Sequence, residues 1–322
     1  MPPDTAAPTT DAAQAAAAPR GARGWRALRI LAAPFLLVLV AAAVDPAAAM
    51  GALRNTAPGW LLLALGVVQL QIAFSALRWR FTAGRLGQHI SLRRALREYY
   101  LATLLNQTTP GGIGGDAARA WRSRGRHAGL NTAVRGVVLE RLGGQVAFFV
   151  VATAGIAAWP LLGRGGVPQD AVTLLAIAAL VLGLVAGAML LLARHGPVRA
   201  RQALRGLWPD LQRAWFADGA WLFQGLISLA VVAGYIGVFA LCARALGDAP
   251  PPAVWVAGIP LVLLGMLAPV SVGGWGVREA AAAALWPLFG LAAAQGVAAS
   301  VLYGLVNLAG ALPALFGLLR RR

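Results

Sequence analysis

Lysine is absent from these 322 residues, cysteine occurs once, and histidine and glutamate three times each. Without lysine there is no Schiff-base nucleophile and no G-K-[ST] phosphate loop. Cys242 stands alone in an apolar run, which excludes a disulfide framework and a redox thiol pair. His89, His127 and His195 sit among arginines in connecting segments, with no Cys, Asp or Glu at ligand spacing. Neither a metal nor a cofactor is therefore expected. Charge is scarce as well: 12% of residues are charged and 59% are hydrophobic, where a soluble domain carries about a quarter charged. This balance is that of an integral membrane protein. The net charge of +17 is entirely arginine. In a soluble chain it would suggest nucleic acid. Here the arginines fall between apolar runs, where they orient the chain and meet anionic headgroups, so no nucleic-acid partner is expected.

Residues 1–24 are rich in Ala, Pro and Thr without periodicity and read as a disordered cytoplasmic tail. Arg20, Arg23, Arg26 and Arg29 precede an apolar run from Ile30 to Val44. A signal peptide competes here, since small residues follow at Ala47–Ala49, but the long tail favours a retained anchor. Further runs cover about 59–77, 133–159, 171–193, 220–242 and 296–319. Each approaches or exceeds the roughly 20 residues needed to cross the hydrocarbon core. Arginines cluster after the second run (Arg78, Arg80, Arg85, Arg93, Arg94, Arg97), after 193 (Arg194, Arg199, Arg201, Arg205, Arg213) and at Arg320–Arg322. The positive-inside rule puts these segments and both termini in the cytoplasm. Ser91 caps a short amphipathic helix carrying Leu92, Leu96, Tyr99 and Tyr100, read as lying at the interface.

Two apolar segments are broken. "NQTTPGGIGGDAAR" and "LAPVSVGGWGVRE" contain Pro110–Arg119 and Pro269–Arg278, and both read P-x-x-x-G-G-x-x-x-R without a gap. Proline ends the incoming half-helix, and the glycine pair allows a tight turn and close approach. The outgoing half-helix then begins with free N–H groups and a partial positive charge, an anion site. Arg119 and Arg278 lie about two turns further on and add full charges. The expected architecture is all-α, with about six transmembrane helices and two re-entrant hairpins. It forms one domain over 25–322, with halves at about 25–160 and 170–320 related as an inverted-topology repeat.

The glutamates are Glu98 in the interfacial helix, Glu140 beside Arg141, and Glu279 beside Arg278. Adjacent helical residues do not face each other, so partners are sought across the bundle, as in Glu140 with Arg278 or Glu279 with Arg119. Asp116 falls in the first turn after a glycine pair, as cap or ligand. Asn106 serves the freed backbone at the break or touches a ligand. The candidate substrate-binding set is Asn106, Pro110, Gly114, Gly115, Asp116, Arg119, Glu140 and Arg141 in the first half. In the second it is Pro269, Ser271, Gly273, Gly274, Gly276, Arg278 and Glu279.

These two segments, with "VVLERLGG" at Val137–Gly144, resemble in order three marks of the lysylphosphatidylglycerol synthase transmembrane, or flippase-like, family. The resemblance covers roughly 25–320. In the family the middle motif often has Asp where this chain has Glu140. The family includes the membrane half of bacterial enzymes that aminoacylate phosphatidylglycerol and move the product across the membrane. It also includes stand-alone proteins of hopanoid and dolichol-linked glycan synthesis. The sequence stops soon after its last apolar run, so the resemblance is expected to carry only the transport half. It implies a bacterial inner-membrane lipid flippase with no catalytic role, binding an anionic, phosphate-bearing headgroup at the two hairpins. Two alternatives stand beside it. One is an accessory subunit for a glycosyltransferase or terpenoid-lipid enzyme, with that enzyme as partner. The other is a membrane enzyme acting on polyprenyl phosphate, with Glu140, Glu279 or Asp116 as base.

Overall fold

The computed structural model describes residues 56–109, 111–124, 129–162, 169–267 and 272–315, and every regular element among them is helical. The tail at 1–24, the apolar run at 30–44, His127, the terminal arginines, and the motif positions Pro110, Pro269 and Ser271 lie outside the described residues.

Pro58 opens α1 (Pro58–Arg85), at a position where a missing N–H removes no helical bond. The helix continues well past Leu77, where the apolar run ends. Arg78 is therefore a helix-interior residue with 4% exposure. Among the described residues, four stretches are long and apolar enough to cross a bilayer: α1, Leu130–Ala157, Leu207–Ala245 and Ala293–Leu315.

The first hairpin consists of α2 (Leu92–Thr108) and α3 (Gly114–Ser123). Ser91 caps α2 by accepting the Arg94 N–H. From Ser91, α2 runs as one continuous helix to Thr108. The hydroxyls of Thr103, Thr108 and Thr109 donate back to the carbonyls of Tyr99, Leu104 and Leu105 at 2.9, 3.2 and 2.7 Å. Its polar end is thus satisfied within the helix. The hairpin packs on α4 (Leu130–Ala157).

The fourth apolar run forms α5 (Gln169–His195), 27 residues long, or about 40 Å at 1.5 Å per residue. Short helices α6 (Val198–Arg205) and α7 (Leu207–Leu211) then lead through a π-turn to α8 (Ala220–Ala245). Arg85 brackets this connection by donating to the carbonyls of Arg213 and Ala217 and to Asp218 at 2.8–2.9 Å. The α1 and α8 helices share the most extensive helix contact.

The second hairpin has an incoming arm of helical turns ending in α9 (Ile259–Leu264) and an outgoing arm, α10 (Val277–Leu285). It packs against α11 (Ala293–Ala311). The ring of Phe239 joins Trp286 and Tyr303 in the core here, with centroids 5.5 and 5.3 Å apart. In the connection after α8, Asp248 accepts from Gln295 Nε2 at 2.6 Å. Burial lifts its carboxyl above the usual aspartate value.

Helix, hairpin, helix therefore occurs twice, but the two matched motifs are not superimposable in detail. In the first, Gly111 and Gly112 adopt positive φ (74° and 61°), and the pair Gly114–Gly115 already belongs to α3. In the second, the pair Gly273–Gly274 makes the turn (59° and 86°) and Gly276 follows at 85°. Arg119 is thus inside α3, whereas Arg278 sits in the first turn of α10, closer to the break than the spacing from proline suggests.

Candidate functional site

The two tips touch. A methyl group placed on Gly273 would stand 2.8 Å from the carbonyl oxygen of Gln107. Both tips line one cavity of about 230 Å³, whose other walls come from α1, α4, α8 and α11.

A charge cluster built on Glu140 forms one side. Arg78 on α1 donates from Nε and Nη2 to Glu140 Oε1 at 3.1 and 2.6 Å, and from Nη1 to Ser228 Oγ on α8 at 3.1 Å. The Tyr99 hydroxyl donates to the same carboxylate oxygen at 3.1 Å. Arg119 donates from Nη2 to Glu140 Oε2 at 2.8 Å and to Asp116 Oδ1 at 2.9 Å. One carboxylate thereby ties α1, α2, α3 and α4 together. The next residue, Arg141, pairs with the other oxygen of Asp116 and donates to the Gly112 carbonyl at 3.2 Å. Its side chain is 40% exposed, while those of Arg78 and Arg119 are buried.

The second hairpin is tied to α11. Arg278 donates to Glu279 Oε1 at 2.7 Å and to Ser300 Oγ at 2.8 Å, and Ser300 donates to Glu279 at 2.8 Å. Glu279 Oε2 accepts the Gly276 N–H at 2.6 Å. Each hairpin arginine also lies near two aromatic rings. Arg119 is 4.8 and 4.5 Å from the centroids of Trp79 and Tyr99, and Arg278 is 5.1 and 4.9 Å from Trp275 and Tyr303. These distances suit cation–π contact.

Several sequence expectations change here. Glu140 pairs with Arg78 and Arg119, not Arg278; Glu279 pairs with its neighbour Arg278, not Arg119. Adjacency does not forbid the second pair, because both side chains bend toward Ser300 and Glu279 folds back over the first turn. Arg119 and Arg278 are fully enclosed (1% and 0% exposed) and neither lines the cavity. The helix-end donors are partly used as well. Asn106 Oδ1 accepts the Gly115 N–H at 2.7 Å, its amide donates to Asp116 at 3.3 Å, and Glu279 takes Gly276. Asn106, Asp116, Glu140, Arg141, Gly273 and Gly274 do line the cavity. Gly114 and Gly115 instead permit contact with Thr109 and Ala102: a methyl on Gly115 would fall 2.0 Å from the Ala102 carbonyl oxygen.

The cavity also recruits residues that spacing did not single out: Arg78, Gln71, Gln107, Tyr235 and Asn307. Amides such as Gln71 and Asn307 inside apolar runs are the legible signal, because a polar side chain in a spanning helix faces inward. The Oε1 atoms of Gln71 and Gln107 are buried and have no hydrogen-bond partner among the described residues.

A family model described as the lysylphosphatidylglycerol synthase TM region matches residues 26–317. No curated protein matches the chain.

Proposed function

The chain belongs to the lysylphosphatidylglycerol synthase TM-region family, and from that premise we propose that it is a lipid transporter. It admits an anionic headgroup to the cavity between the hairpin tips while the apolar tails stay in the bilayer. One observation carries this reading: two glycine tips and a half-exposed guanidinium, Arg141, face one cavity lined by both polar and apolar side chains. Broken backbone is tolerated at membrane depth only where it is buried in protein or lines such a cavity. On this reading six helices span the inner membrane, both termini are cytoplasmic, and the hairpins are re-entrant from opposite faces in an inverted repeat. Arg141 takes the headgroup; Arg119 and Arg278 hold the tips in place.

The acids support transport over chemistry. Glu98 faces Arg122 at 2.6 Å, Glu140 faces two guanidiniums, and Glu279 faces Arg278. Each glutamate is occupied by a cation, which leaves a poor general base for a reaction on polyprenyl phosphate.

The test is movement of a labelled anionic phospholipid across liposomes containing the purified protein. Arg141→Gln should slow it about 10- to 100-fold, the loss of one charge-assisted contact. The unfolding midpoint should barely move, because the Arg141 pair is partly exposed. If well-folded wild type moves no lipid, transport is wrong, and a co-purifying enzyme partner becomes the reading to pursue.

A further inference from the structure

We infer that Asp116 sets the headgroup charge the cavity accepts, restricting it to a phosphate bearing a single negative charge; this rests on the transporter reading. The cluster beside the cavity contains three guanidiniums, Arg78, Arg119 and Arg141, and two carboxylates, Glu140 and Asp116. Arg278 and Glu279 form a separate neutral pair. The sum is one net positive charge. Its location is also defined: Arg78 and Arg119 converge on Glu140, while Asp116 is shared between Arg119 and the more open Arg141.

A phosphodiester monoanion arriving at Arg141 neutralises the site. A phosphomonoester dianion or a diphosphate leaves negative charge unmatched in a half-open cavity with partly apolar walls, where Coulomb terms are less screened than in bulk water. Asp116 is the member that fixes this balance without supporting the bundle. Glu140 joins four helices, whereas Asp116 touches only its own hairpin and Arg141. Removing its charge raises the sum to two, which suits a dianion.

The experiment uses the full chain in detergent at pH 8, where a phosphomonoester, with its second pKa near about 6, is doubly ionised. Apparent affinities are read from the ligand-dependent rise of the unfolding midpoint. The probes are short-chain phosphatidylglycerol, phosphatidic acid and phosphatidylcholine, and lipid-free glycerophosphoglycerol. Wild type should bind the monoanionic diester about tenfold or more tightly than the monoester, the worth of a charge-assisted contact. Asp116→Asn should erase or invert that ratio, and Asp116→Glu should keep it. If Asp116→Asn does not fold, Arg141→Gln serves in its place: with the net charge removed, the preference for phosphatidylglycerol over phosphatidylcholine should vanish. A wild type that prefers the monoester, or an Asp116→Asn ratio equal to wild type, overturns the inference. Diester binding without movement in liposomes removes the transporter reading and leaves the charge rule standing. Equal binding of the lipid-free diester supports the charge rule and makes the ligand's source a soluble diester.

Discussion

Replacing Glu140 by glutamine is expected to lower the unfolding free energy by about 3–5 kcal/mol, the range seen when one partner of a buried ion pair is removed. The change preserves shape and removes only charge. It leaves Arg78 and Arg119, 4% and 1% exposed, facing a neutral amide, and weakens the acceptor of the Tyr99 hydroxyl. Because these donors come from α1, α2 and α3, the damage spreads to the whole first half. Glu140→Asp, which keeps the charge on a shorter stem, should lose less. Denaturant unfolding in detergent measures both, and a glutamine variant as stable as wild type would show that the cluster is not what joins these helices.

The second large effect is steric. Gly115→Ala should destabilise by about 1–3 kcal/mol, the usual range for overpacking. The obstacle is the Ala102 carbonyl, a backbone group that cannot rotate away. The methyl would push α3 off α2 and carry Asp116 and Arg119 away from their partners, so lipid movement should fall with stability. Gly225→Ala is the matched comparison. It lies on the exposed face of α8 with nothing within 4 Å, and should gain about 0.5–1 kcal/mol from helix propensity. Equal behaviour of the two variants would mean that the close contact of α2 and α3 is absent in solution.

These residues show what the sequence makes legible. The two broken segments announce themselves because glycine clusters, with Pro110 and Pro269 beside them, interrupt otherwise apolar stretches. Arg119 and Arg278 were likewise visible as ionisable residues where hydrocarbon was expected. What they do was not legible, because partner choice depends on how helices far apart in sequence register against one another. Arg78 looked like the first of a row of flanking arginines; only the depth of α1 beside α4 brings it to Glu140. How far α2 runs toward the break is a local matter, because its threonine hydroxyls donate into their own helix. The shared motif also promised more symmetry than exists, since which glycines make the turn depends on where each outgoing helix begins.

Cys242 was set aside as a residue without chemistry, yet its position gives the protein a built-in clock. It is fully buried in α8 and belongs to the core shared with the second hairpin. A maleimide added to the folded protein therefore has no other sulfhydryl to find, and this one becomes reachable only when the bundle opens. The labelling rate then reports the opening rate, one molecule at a time, with no engineered probe. Glu140→Gln and Gly115→Ala should both label faster than wild type if the halves open together. If only α2 and α3 loosen, Cys242 will stay silent while lipid movement is lost, and that hairpin will have been timed apart from the core that holds the cysteine.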